Sequence, residues 1–263
     1  MTEHHHAQTD LIHAPRQAPQ YIETIQPPLF RASTIIFNST AHLFDRHWSD
    51  AYDYSYGTHG TPTTFTLGDN IAQLEGGTNC LLAPSGLSAI NLVNSTFLKS
   101  GDEVWIADNS YGPNLEHLKN LQERYGILLK IYNPVDADSF QPSEKAKLIW
   151  LEAAGSVTLE FPDLKKIVKK ARQANVLTAL DNTWGAGLAF NAFDFSDEHL
   201  AVDMTVHALT KYPSGGGDIL MGSVVTRDQH LHHQLYRMHA LQGICVSGDD
   251  TAQVQRSLAH MSL

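Results

Sequence analysis

From about residue 65 the chain alternates between two hydrophobic periods. Leu67, Ile71 and Leu74 recur at helical spacing, which predicts a helix from Phe65 to Gly76 stopped by Gly76-Gly77. Short continuous apolar runs then appear at Cys80–Ala83, Val104–Ala107, Ile127–Tyr132, Lys147–Leu151, Val176–Leu180, Met204–Val206 and Ile219–Val225. Runs this short and uniformly apolar read as strands covered on both faces. Helical patterns separate them: Pro84-Ser-Gly-Leu-Ser88 into an apolar helix to about Leu98, Leu115–Tyr125, and a helix capped by Asp163 to about Ala174. The expected fold class is α/β, a mostly parallel sheet with helices on both faces. Residues 1–55 break this pattern. Pro15, Pro19, Pro27 and Pro28 exclude a long helix, so this stretch reads as an extended arm that lies on something else, such as a neighbouring subunit.

Composition narrows the choice of function. A chain of 263 residues can bury a large core, and 42% hydrophobic with 17% charged residues is ordinary for a globular protein. The net charge of -10 disfavours nucleic acid as a partner. The basic run Lys165–Lys170 reads as one solvated helix face. Two cysteines, Cys80 and Cys245, make no disulfide framework and suit a reducing compartment. Neither a signal-peptide core nor a membrane-length apolar run is present, so a soluble cytoplasmic protein with no membrane partner is expected. The 15 histidines raise the question of metal. His4–His6 could bind it adventitiously, whereas His230, His232, His233 and His239 fall in a helical pattern without complementary ligands. They are expected to be exposed helical histidines, and no metal site is assigned.

Ligands of open α/β sheets bind at the carboxyl ends of strands, which directs attention to the residues there. Ser85, Gly86, Leu87 and Ser88 form a strand-to-helix turn, either an anion seat or an ordinary helix cap. Tyr111 follows a strand, where its ring can stack on a planar ligand or simply pack. Asp181 ends a strand, and a carboxylate there needs a cation or several donors. Lys211 stands between Thr210 and the run Gly215-Gly216-Gly217, where most lysines are solvated charges but where a reactive amine could also reach a carbonyl carbon. Taken in order, phosphate turn, aromatic, strand-end aspartate and lysine match what pyridoxal phosphate requires of a protein.

With those residues in place, the chain resembles the Cys/Met-metabolism enzymes of the aspartate aminotransferase fold type, bacterial cystathionine β-lyases above all. The resemblance runs from about residue 10 to the end. Its motifs are Tyr56-Gly-Thr-His-Gly-Thr-Pro-Thr63, Leu74-Glu-Gly-Gly77, Pro84–Ser88, Leu180-Asp-Asn-Thr-Trp184 and Ala208-Leu-Thr-Lys-Tyr212. It implies that Lys211 carries the cofactor, Asp181 pairs with its ring nitrogen, and Tyr111 stacks on one face with Thr183 near the other. Ser85, Gly86, Leu87 and Thr210 would hold the phosphate, and Ser156 would lie near the phenolic oxygen. Tyr56 would reach the active site of a neighbouring subunit in a homo-oligomer, a dimer or tetramer. The implied function is β-elimination of cystathionine. The rivals are a cystathionine γ-synthase, O-acylhomoserine sulfhydrylase or methionine γ-lyase, and a non-catalytic cofactor-binding fragment.

Three departures from the family pattern stand out. Thr58 replaces the usual arginine, leaving His59 as a possible substitute, and Ala208 replaces a serine. Each lost charge-assisted bond to phosphate would remove ~1.5–3 kcal/mol of interaction. The third departure is that relatives continue into a C-terminal domain that grips the substrate carboxylate. The expected division is therefore an arm over 1–55, a cofactor domain over 56–248 and the start of a further domain over 249–263.

Overall fold

The computed structural model describes residues 24–45, 54–195 and 200–262. In chain order the elements are α1 (Thr40–Asp45), α2 (Pro62–Glu75), β1 (Asn79–Ala83), α3 (Gly86–Phe97), β2 (Glu103–Ala107), α4 (Gly112–Tyr125) and β3 (Leu128–Tyr132). Then come β4 (Ala146–Glu152), α5 (Leu164–Gln173), β5 (Leu177–Asp181), β6 (Met204–His207), β7 (Gly222–Thr226), α6 (Gln229–Leu241) and α7 (Gly248–Leu258).

The strands form one sheet in the order β1-β7-β6-β5-β4-β2-β3. The pairs β6–β5, β5–β4, β4–β2 and β2–β3 are parallel. Only β7 runs the other way, pairing antiparallel with both β6 and β1. All the remaining strands therefore end at the same edge. Alternate residues feed two separate cores. Trp105, Ile149, Leu151, Leu180 and Val225 pack with residues of α2, α5 and α7. Val104, Ile106, Trp150, Ala179 and Val206 pack with residues of α3, α4 and α6. This is the α/β sheet, covered on both faces, that the hydrophobic pattern predicts.

Helix ends follow their local chemistry. Thr61 N–H donates to Thr64 Oγ1 at 2.8 Å at the start of α2, and Pro62 occupies a position where its missing N–H costs nothing. Gly76 ends the helix with φ +80, a left-handed conformation that glycine adopts without strain. Asp163 caps α5 through Lys166 N–H at 3.0 Å.

Two expectations need correction. The strand expected from Ile219 starts only at Gly222, because Met221 turns its backbone to Thr210 instead of to a neighbouring strand. Thr210 N–H donates to Met221 O at 3.2 Å, and Met221 N–H donates to Thr210 Oγ1 at 3.1 Å. His232 and His239 are buried, while His230 and His233 are exposed. His239 donates from Nε2 to Leu82 O at 2.8 Å, tying α6 to β1, and burial pushes His232 down to about 4. Among the described residues no group of three or more His, Cys, Asp or Glu is arranged to hold a metal, and no helix is long and apolar enough to cross a membrane.

The described part of the arm is extended apart from α1, which the prolines did not suggest. Phe30 N–H donates to Thr63 Oγ1 at 2.8 Å, and Arg31 Nε donates to Asp249 Oδ2 at 2.9 Å, so this segment crosses the starts of α2 and α7. His4–His6, Pro15 and Pro19 lie outside the described residues. α7 packs through Val254 and Leu258 into the same core as Leu67 and Ile71 of α2.

On the α2 side of the sheet lies a buried polar knot. His207 Nδ1 and Glu75 Oε1 are 2.7 Å apart, and Asn182 Nδ2 donates to Glu75 Oε2 at 2.8 Å. All three residues are almost wholly withdrawn from solvent. Glu75→Ala should strand two buried polar partners and cost about 3–5 kcal/mol. Chemical denaturation of the two proteins measures this; a loss below about 1 kcal/mol would show that the knot contributes little.

Candidate active site

Because β1, β2, β4, β5 and β6 end at one edge, residues far apart in sequence meet there. They line a cavity of about 620 Å³. Ser85, Gly86 and Leu87 enter it from the end of β1, Tyr111 from the end of β2, and Ser156 from beyond β4. Asp181 and Thr183 enter at the end of β5, and Thr210 and Lys211 after β6. Tyr56 does not line this cavity. It is 47% exposed and forms an isolated bridge with Thr34. Thr58 and His59 line a separate, smaller cavity of about 170 Å³, where His59 Nδ1 is 2.7 Å from Ser55 Oγ. Within this chain, His59 does not stand in for the missing arginine.

The turn at α3 is both a helix cap and an anion seat. Ser85 Oγ accepts from Ser88 N–H at 3.0 Å, while the first N–H groups of the helix, at Gly86 and Leu87, have no partner within it. The helix dipole adds partial positive charge at the same place. Glycine is required at 86, since a Cβ there would fall 2.7 Å from the Ala208 Cβ. Further along α3, Asn94 Oδ1 accepts from Trp150 Nε1 at 2.8 Å, fixing the helix on the sheet.

Asp181 lines the same cavity from the end of β5. Its Oδ1 accepts from Thr183 N–H at 3.1 Å, and Thr183 Oγ1 accepts from Ala208 N–H at 3.0 Å, so one threonine links the ends of β5 and β6. Burial raises the Asp181 carboxyl above its ordinary value, opposed by the hydrogen bonds from Thr183 and by His207 behind the sheet. A half-buried carboxylate facing an open cavity suits a ligand that brings its own cation.

The loop bearing Lys211 folds back on itself. Lys211 N–H donates to Ala208 O at 3.0 Å, and Ser214 N–H to Leu209 O at 2.9 Å. Gly215 and Gly217 take φ of +72 and +68, which turns the chain so that Met221 can lie beside Thr210. The glycine run thus shapes the return of the loop. Thr210 Oγ1 is already bridged to Met221, accepting from its N–H and donating to its carbonyl at 3.2 Å. Sequence reasoning missed Glu152, Trp184, Tyr212 and Leu220, which also line the cavity. Glu152 could have been found, since it ends β4 just as Asp181 ends β5.

The cavity offers a lysine amine, a carboxylate, an aromatic ring and a helix N-terminus around one space. That set fits pyridoxal phosphate, which needs an amine to bond, an anion for its ring nitrogen and donors for its phosphate.

Comparison with known proteins points to the same group. The family model of the Cys/Met metabolism PLP-dependent enzyme matches residues 8–263. The chain is 32% identical over 259 residues to the cystathionine beta-lyase of Haemophilus influenzae, covering 95% of this chain and 63% of that protein. It is 30% identical over 258 residues to the L-alanine/L-glutamate racemase of Wolbachia pipientis, covering 94% and 62%. The crystal structure of cystathionine gamma synthase from Xanthomonas oryzae pv. oryzae in complex with cystathionine superposes with a TM-score of 0.86 at 26% identity. That match covers 98% of this chain and 64% of the other. The chain therefore spans 62–64% of the length of these three proteins.

Gly86→Ala tests the seat. The added methyl group should push the start of α3 away from Ala208 and weaken pyridoxal phosphate binding at least about tenfold, the effect of one lost charge-assisted bond. Titrating the apo-protein by fluorescence, with circular dichroism as a check on folding, measures it; unchanged affinity would place the phosphate elsewhere.

Proposed function

The chain belongs to the Cys/Met metabolism PLP-dependent enzyme family, and from that premise we propose that it serves a carbon–sulfur lyase acting on cystathionine. The products would be homocysteine, pyruvate and ammonia. The single observation that carries this reading is the meeting of Lys211, Asp181, Tyr111 and the α3 N-terminus in one cavity. The cystathionine beta-lyase similarity over 95% of the chain supports the choice of reaction.

Each residue has a task that follows from its place. When bound, pyridoxal phosphate supplies an electron sink that makes the substrate α-proton acidic. Gly86 and Leu87 N–H groups, with Ser85, would bind and orient the phosphate. Asp181, held by Thr183, would keep a proton on the ring nitrogen. Tyr111, Thr183 and Ser156, which line the same cavity, would contact the ring and its phenolic oxygen. Lys211 Nζ, once neutral and free, takes the α-proton and delivers a proton to the departing sulfur. The C–S bond breaks as electrons move from the α-carbon, and water converts the three-carbon remainder to pyruvate and ammonia. With Thr58 and Ala208 in place of charged or hydroxyl donors, the phosphate relies on the helix N-terminus more heavily than in a site that has both.

The proposed assembly is a homo-oligomer in which the exposed Tyr56 of one subunit completes the cavity of another. The division into arm, cofactor domain and a unit from 249 belongs to the same proposal, as does a cytoplasmic location.

Incubating the purified protein with cystathionine tests the reaction. Pyruvate and homocysteine in equal amounts are expected, with Lys211→Ala slower by about 10²–10⁴-fold or more. α-Ketobutyrate and cysteine would assign a γ-elimination instead. D-Alanine from L-alanine without release of thiol would favour the racemase relative, and bound cofactor without any product would leave a cofactor-binding unit alone.

A further inference from the structure

Glu152 and Asp181 are register partners on the adjacent parallel strands β4 and β5. Partners in register present their side chains to the same face, with the strands ~4.8 Å apart. Both carboxyls line the large cavity, and Glu152 retains only 8% of its surface in contact with solvent. Two carboxylates so close and partly withdrawn from water resist simultaneous ionisation.

Glu152 is also a structural tie. Its Oε2 accepts the backbone N–H of Tyr111 at 2.7 Å, and Ser156 lies near enough to favour its charged form. It thereby ties the end of β4 to the loop after β2, and Ser156 N–H donates to Asn109 O at 2.9 Å between the loops after β4 and β2.

We propose that Glu152 is a positioning residue that carries the one proton of this carboxyl pair, leaving Asp181 as the single anion of the cavity and fixing Tyr111 through its backbone. Other ionisable groups surround the pair. Lys211 and the Tyr111 phenol line the same cavity, Asp108 and Tyr132 lie towards β3, and His207 with Glu75 stands behind Asp181. Burial and Glu75 raise Asp181 as well, while Thr183 and His207 favour its charged form. Burial first, and then Asp181, push the Glu152 carboxyl up to about 8. A neutral Glu152 leaves one negative charge to meet one cationic ring nitrogen.

The consequence for stability has a definite sign. The folded carboxyl titrates higher than an unfolded one, so the folded state binds the extra proton. Stability is then full at low pH and is lost as pH rises from about 4.5 towards about 8. Glu152→Gln keeps an oxygen for Tyr111 N–H but cannot ionise. Thermal unfolding of the cofactor-free proteins from pH 5 to 9 should show the variant gaining on the wild type by about 5 °C or more as pH rises. Glu152→Ala, which loses the tie as well, should be less stable than Glu152→Gln at every pH. A Glu152→Gln gap that stays flat with pH would overturn the proposal.

If the glutamine variant does not fold, infrared spectra of the wild type decide. A buried protonated-carboxyl band present at pH 7 and lost by pH 9 supports the proposal, and its absence at pH 7 contradicts it. A second arm rests on the pyridoxal phosphate reading. At pH 6.5 Glu152→Gln should bind the cofactor as well as the wild type, and Glu152→Ala more weakly. A widening stability gap with no cofactor bound by either protein would sink the cofactor reading and leave the carboxyl pair standing. Cofactor binding with a flat gap would do the reverse.

Discussion

The common direction of six of the seven strands is the constraint on which the rest of this molecule depends. β1, β2, β4, β5 and β6 all finish at one edge, while β7 returns the chain against them. A parallel sheet has its backbone hydrogen bonds satisfied laterally, so what leaves the strand ends is free to serve a ligand. Ser85, Tyr111, Glu152, Asp181 and Lys211 are neighbours for that reason alone. The loops that carry them are short or tied down. Thr183 bonds to Ala208, Thr210 to Met221, and Glu152 to Tyr111.

Charge at such an edge is costly unless it is shared or paired, and the two faces of the sheet handle it differently. On the α2 face the members of the Glu75–His207–Asn182 knot are bonded to one another and buried. On the α3 face Glu152 and Asp181 look into an open cavity with hydrogen-bond donors but no paired arginine or lysine side chain between them. The buried knot ties β6 to α2; the open pair is where a cationic ligand gains most. In the same cavity, the first N–H groups of α3 favour an anion. A ligand with a cationic ring at one end and a phosphate at the other matches both.

Much of this was legible in the sequence. The apolar runs located all seven strands, and the rule of strand ends singled out Asp181, Tyr111 and the Ser85–Ser88 turn, which the structure brings together with Lys211. What escaped had physical causes. Glu152 follows the same rule as Asp181, but no spacing or motif says that β4 lies beside β5 in register. The turns at Gly215 and Gly217 were not legible, because a glycine run signals freedom without saying where the chain will turn. Buried His232 and His239 looked like surface residues because their burial depends on β1 lying across α6, a contact distant in sequence. Tyr56 is absent from the cavity of its own chain, and a single sequence does not say which subunit a side chain serves.

The central claim is that this cavity holds pyridoxal phosphate bonded to Lys211. Borohydride reduction of the protein with pyridoxal phosphate, followed by proteolysis and mass spectrometry, tests it most directly. The account expects one pyridoxyl-phosphate adduct per chain, on the peptide containing Lys211 and lost in Lys211→Ala. Labelling spread over surface lysines such as Lys165 and Lys169, with Lys211 unmodified, would contradict it.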